Sequence, residues 1–103
     1  MQTFESIFLI GSDHPALPGH FPGAPVVPGV LLLDRVLATL EGALGSVPAS
    51  LRLPQAKFLE PLLPGQVAQI ELHIDLAAAN ARFSIRRADR LLAKGNLGWQ
   101  ATT

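Results

Sequence analysis

The sequence contains no cysteine, which excludes disulfides and thiolate metal sites and suits a reducing compartment. Charge is sparse: 16% of residues are charged, and the net charge is zero. Long apolar runs are also missing. Val30 to Leu33 is as long as any, against the roughly 20 residues that cross a bilayer. Met1 to Glu5 carries no basic group, so no secretory leader is expected and the chain reads as cytoplasmic. The single tryptophan and five phenylalanines do not interleave with the bases, which argues against nucleic acid as a partner. There are no internal repeats and no low-complexity tracts.

What is present is apolar. Of 103 residues, 49% are hydrophobic, too many for disorder. A chain this short buries only about two-thirds of its unfolded surface, so a partner subunit is expected over part of the rest. One domain, residues 1–103, is expected. The charge is uneven. Residues 1–51 hold Glu5, Asp13, Asp34 and Glu41 against Arg35 alone, whereas 52–103 hold seven bases and four acids. A basic second half suits an acidic partner, although a solvated sheet face gives the same count.

Phe4, Ser6, Phe8 and Ile10 alternate weakly with Glu5, Ile7 and Leu9, predicting a strand that ends at Gly11. Residues 12–29 hold five prolines and three glycines and read as a long ordered loop, a feature usually tied to function. Residues 29–45 read as a helix, opened by Pro28-Gly29 and stopped by Gly45. Its body, Val30 to Leu44, is apolar around most of its circumference, so Leu37 and Leu40 alike are expected in the interior. The remainder is β: 51–60, a turn at Pro61 to Gly65, and 67–76 with strict period two. Then come Ala81, Phe83 and Ile85 against Arg82, Ser84 and Arg86, a turn at Ala88-Asp89-Arg90, and an inward row of Ala93, Gly95, Leu97, Trp99 and Ala101. The class is α+β, an antiparallel sheet wrapped around one long helix.

The chemistry-bearing segment runs Gly19-His20-Phe21-Pro22-Gly23-Ala24-Pro25-Val26-Val27-Pro28-Gly29-Val30-Leu31-Leu32-Leu33-Asp34. His20 is held among prolines and glycines, and an imidazole titrates near pH ~6.5, suited to taking a proton at neutral pH. Gly29 and Val30 open the helix, so their N–H groups are free to meet a developing negative charge. Asp34 follows one turn on. A base, an acid and an oxyanion site are the set needed to remove a proton α to a carbonyl and expel a β-hydroxyl. The same residues also fit a loop histidine bonded to backbone, an acid complementing the helix dipole, and ordinary turn formers.

The joint pattern Gly-His-Phe-Pro-Gly-x-Pro-x-x-Pro-Gly-Val-Leu resembles the β-hydroxyacyl-acyl-carrier-protein dehydratases. Ala56-Lys57-Phe58-Leu59-Glu60-Pro61-Leu62-Leu63-Pro64-Gly65 is similar to that family's second motif. The resemblance implies the hotdog fold and no cofactor or metal. It implies His20 and Asp34 as the catalytic pair, drawn from the two subunits of a homodimer, with Gly29 and Val30 at the thioester carbonyl. Phe21, Pro22 and Gly23 belong to the substrate loop. The substrate implied is a 3-hydroxyacyl thioester on an acyl carrier protein, which Arg82, Arg86, Arg87 and Arg90 would steer. The sequence departs from the family at Arg35, at Ala38 (usually glutamine), at Val30 (often cysteine in the isomerising branch), and in beginning without the usual N-terminal extension. Two other readings remain: a hotdog thioesterase, and a non-catalytic subunit pairing with an active paralogue. No spacing of His14, His20 and His73 with carboxylates resembles a metal site. His14 reads as a loop residue that could gate the site, and His73 as surface.

Overall fold

A computed structural model describes residues 1–14 and 26–101. Its elements are β1 (Gln2–Leu9), α1 (Gly29–Leu44), β2 (Arg52–Phe58), β3 (Val67–Asp75), β4 (Asn80–Arg87) and β5 (Arg90–Gly98). The strands form one sheet in the order β1-β3-β4-β5-β2, and every neighbouring pair is antiparallel. This is the hotdog arrangement, an α+β fold with one helix laid across an antiparallel sheet.

The period-two pattern sets the faces. Ala68, Ile70, Leu72 and Ile74 of β3 and Ala81, Phe83 and Ile85 of β4 are buried, as are Leu97 and Trp99. Their inward row meets Leu32, Val36 and Leu40, one face of α1 at four-residue spacing. The helix packs on β1 and β3. Thr39 Oγ1 donates to the Arg35 carbonyl at 2.9 Å and accepts from Ser6 Oγ of β1 at 2.8 Å, which joins helix to strand. Gly45 ends the helix in the left-handed region (φ 84°), its N–H bonded to the Glu41 carbonyl at 2.8 Å. That is the stop read from the sequence.

Four expectations need correction. The helix is not enclosed on all sides within one chain. Val30 is 63% exposed and Asp34, Ala38 and Glu41 lie open, while Leu37 is only half-buried. β3 ends at Asp75, so Leu76 sits in a turn and is exposed. Leu92 and Ala93 are both buried although adjacent. The reason is a bulge: Arg86 faces Leu91 whereas Ile85 faces Ala93, leaving Leu92 as the extra residue. The carbonyl of Leu92 accepts from the N–H groups of Leu59 and Glu60, so the bulge anchors the chain leaving β2. Ala101, assigned to the inward row, is exposed.

Gly95 shows why β5 needs a glycine. A Cβ there would lie 2.3 Å from the Gln55 carbonyl oxygen and 2.6 Å from the Phe83 ring. The ring covers the glycine across the strand pair. Gly95→Ala should therefore cost about 2–3 kcal/mol by overpacking. Gly42→Ala, with nothing within 4 Å, should instead stabilise the helix by about 0.5–1 kcal/mol. Thermal melts of the two variants check this. Equal midpoints would refute the close approach at Gly95.

Candidate active site

The start of α1 is pinned from outside the helix. The Val27 N–H bonds the Leu62 carbonyl at 2.9 Å, and the Leu62 side chain is fully buried. Gly65, in the left-handed region (φ 84°), donates to the Ile10 carbonyl at 2.8 Å. The Pro61–Gly65 turn thus ties together the end of the first strand region and the entry to the helix.

Pro28 is the N-cap and offers no side-chain hydrogen bond, and no acid stands in the first turn. The first N–H groups of the helix therefore present their positive end without a neutralising carboxylate. Phe58 packs here: a Cβ at position 29 would lie 2.9 Å from its ring. Only glycine lets the ring approach the helix end so closely. Residues 26–29, Leu32 and residues 58–62 line a cleft of about 460 Å3. Phe58 lines this cleft, a placement that reasoning on the helix alone missed and that its position in the second motif signalled.

Residues 1–96 match the ApeI-like family, described as the ApeI dehydratase. The 3-hydroxyacyl-acyl-carrier-protein dehydratase FabZ of Chlamydia trachomatis serovar L2 is 29% identical over 99 residues, covering 84% of this chain and 65% of that protein. The chain belongs to the ApeI-like dehydratase family. It spans just under two-thirds of the length of that FabZ relative. Among solved structures, the dehydratase heterocomplex ApeI:P from Xenorhabdus doucetiae superposes with a TM-score of 0.83 at 22% identity, covering 93% of this chain and 85% of that one. A 1,4-dihydroxy-2-naphthoyl-CoA thioesterase from Synechocystis gives 0.67 at 23% identity, covering 93% and 79%. The second likeness shows that the hotdog fold by itself does not choose between elimination and hydrolysis.

For this ApeI-like chain, His20, Phe21, Pro22 and Gly23 lie outside the described residues. Gly29 and Val30 open the helix as expected. Asp34 is exposed and makes no hydrogen bond or ion pair with any described residue. It lines a separate hollow with Leu37, Ala38, Glu41 and Val47. Five residues along a helix turn the side chain about 140°, so Asp34 does not share the cleft at Gly29 of its own chain. The four arginines also separate. Arg82 and Arg86 enter one trough on the outer sheet face, whereas Arg90 is bound to Glu60 at 3.2 Å. His73, read as plain surface, is half-buried and held at both ring nitrogens. Nε2 meets Glu71 at 2.6 Å and Nδ1 meets Thr3 Oγ1 at 3.2 Å.

Proposed function

We propose that this chain eliminates water from a 3-hydroxyacyl thioester to give the 2-enoyl thioester. His20 removes the Cα proton. The N–H groups of Gly29 and Val30 receive the charge that develops on the thioester oxygen, and Asp34 protonates or orients the departing hydroxyl. The observation that carries the reading is the uncapped helix start at a cleft walled by Phe58. It supplies oxyanion stabilisation without a cofactor, in a chain whose residues 1–96 match a dehydratase family.

The functional unit in this reading is a cytoplasmic homodimer, or a larger assembly of such dimers, with residues 1–103 as one hotdog domain. Val30 and Val47 on the helix side and Leu53 and Phe58 on edge strand β2 are exposed, apolar surface that a second copy would cover. A shared site also brings a partner's Asp34 to the cleft that its own chain does not give it. The substrate is carried on an acyl carrier protein, and Arg82, Arg86, Arg87 and Arg90 attract it through their summed field rather than by a single contact. A second reading, a non-catalytic subunit beside an active paralogue, draws support from Ala38. It leaves the exposed turn after Asp34 without the family's usual amide. The Xenorhabdus structure is itself a heterocomplex.

One assay separates these readings. The pure protein is given a 3-hydroxyacyl thioester on a small thiol and on an acyl carrier protein. Enoyl absorbance and free thiol are followed together. Enoyl product without thiol is expected, with only the carrier-linked rate falling as salt rises. Thiol release would make the chain a thioesterase. Silence on both channels, relieved by a paralogue, would make it the non-catalytic subunit.

A further inference from the structure

The face of the sheet turned away from α1 has a centre, and the centre is Ser84. Across one strand boundary Ser84 faces Lys94 and across the other Glu71. Along β4, Arg82 and Arg86 stand two residues away on either side. Neighbouring strands lie about 5 Å apart and residues i and i+2 about 7 Å, so three cationic side chains spring from the immediate surroundings of one hydroxyl. Beyond Lys94, β2 places Lys57 directly opposite it, and like charges facing across a strand pair destabilise the sheet. Among the described residues none of these four cations makes an ion pair; the carboxylates in contact with a basic group are Glu71, at His73, and Glu60, at Arg90. Glu71, the one carboxylate in the trough, is already turned to His73. Gln55 and Asn96 add neutral amides to the same lining, and the trough encloses about 550 Å3.

We propose that this trough is a second binding site, for a small molecule of about nucleotide size that carries two or more phosphate charges. Small-ligand sites run to about 300–1,000 Å3, which the trough fits. Its cations stand at neighbouring positions of β4, β5 and β2 around one hydroxyl, close enough for one multiply charged phosphate group to meet several of them. The site lies on the opposite side of the sheet from Gly29 and Asp34, and the inference does not depend on the dehydratase reading. The uncompensated Lys57–Lys94 pair is explained as a cost to the empty fold that ligand binding offsets.

The test is calorimetric titration of the full chain at low salt with pyrophosphate, ATP and adenosine. Pyrophosphate and ATP should bind and adenosine should not. Lys57→Gln with Lys94→Gln, and separately Arg82→Gln, should each weaken ATP at least about tenfold. Turnover of a small thioester should be unchanged in the lysine double variant. Lys57→Gln alone should melt no lower than the wild type, because it removes a repulsion. Equal binding of adenosine and ATP would overturn the proposal, as would an affinity indifferent to these substitutions. So would binding of an acidic carrier protein with no binding of either phosphate probe.

Discussion

Leu40→Asp should leave no folded protein at 25 °C. Leu40 is 1% exposed and forms, with Leu32 and Val36, the helix face that meets the sheet. Removing a buried leucine costs about 2–5 kcal/mol, and a carboxylate left there without a partner adds several more. A domain of this size has about 5–15 kcal/mol in all. Leu37→Asp should be milder. Leu37 is half-buried and borders two surface hollows, so its carboxylate can reach water within one chain. Far-ultraviolet circular dichroism and thermal melts compare the two. If Leu40→Asp melts like the wild type, α1 does not form the core. If Leu37→Asp is as damaging as Leu40→Asp, then the face carrying Leu37 is covered too, which is what subunit association predicts.

The helix was legible in the sequence because both of its ends are marked by chemistry. Pro28 and Gly29 open it and Gly45 closes it, the last by a left-handed turn that glycine adopts freely. The inward rows of β3 and β4 were legible because alternation is a local property. What depends on pairing was not. That Lys57 faces Lys94, that Ser84 stands between Lys94 and Glu71, and that Leu92 is the extra residue of a bulge all follow from which strands are neighbours. Registers between strands distant in the chain leave no periodic trace. The basic half was visible as a count, but its division into a trough and a hairpin pair was not. The reach of Phe58 onto Gly29 joins positions 29 and 58, and only the fold shows that Gly29 is needed for space as well as for a helix start. The interior place expected for Leu37 is only half met within one chain, because an apolar circumference says how much surface needs covering, not which chain covers it.

Mixing two dead variants should restore activity. In the proposed dimer each site takes His20 from one subunit and Asp34 from the other. His20→Ala removes the base and should cut turnover by about 10²–10⁴-fold. Asp34→Asn removes the acid and should be nearly inactive as well. Its fold should be intact, because Asp34 is exposed and bonded to no described residue, and substitutions at such positions shift stability by about 0.5 kcal/mol or less. When the two variants are mixed in equal amounts and allowed to exchange subunits, about half the dimers become mixed. Each mixed dimer holds one site bearing both substitutions and one bearing neither. Roughly a quarter of wild-type activity should therefore return. Mass spectrometry of tagged subunits verifies the exchange. A site built within one chain predicts no recovery, since every site would keep one damaged residue. The structure supplies a reason to expect the shared arrangement: Asp34 and Gly29 are separated by about 140° around their own helix, and Asp34 lines a hollow apart from the cleft at Gly29. Verified exchange without recovery would return the acid to its own subunit and require another group at the cleft to release the hydroxyl.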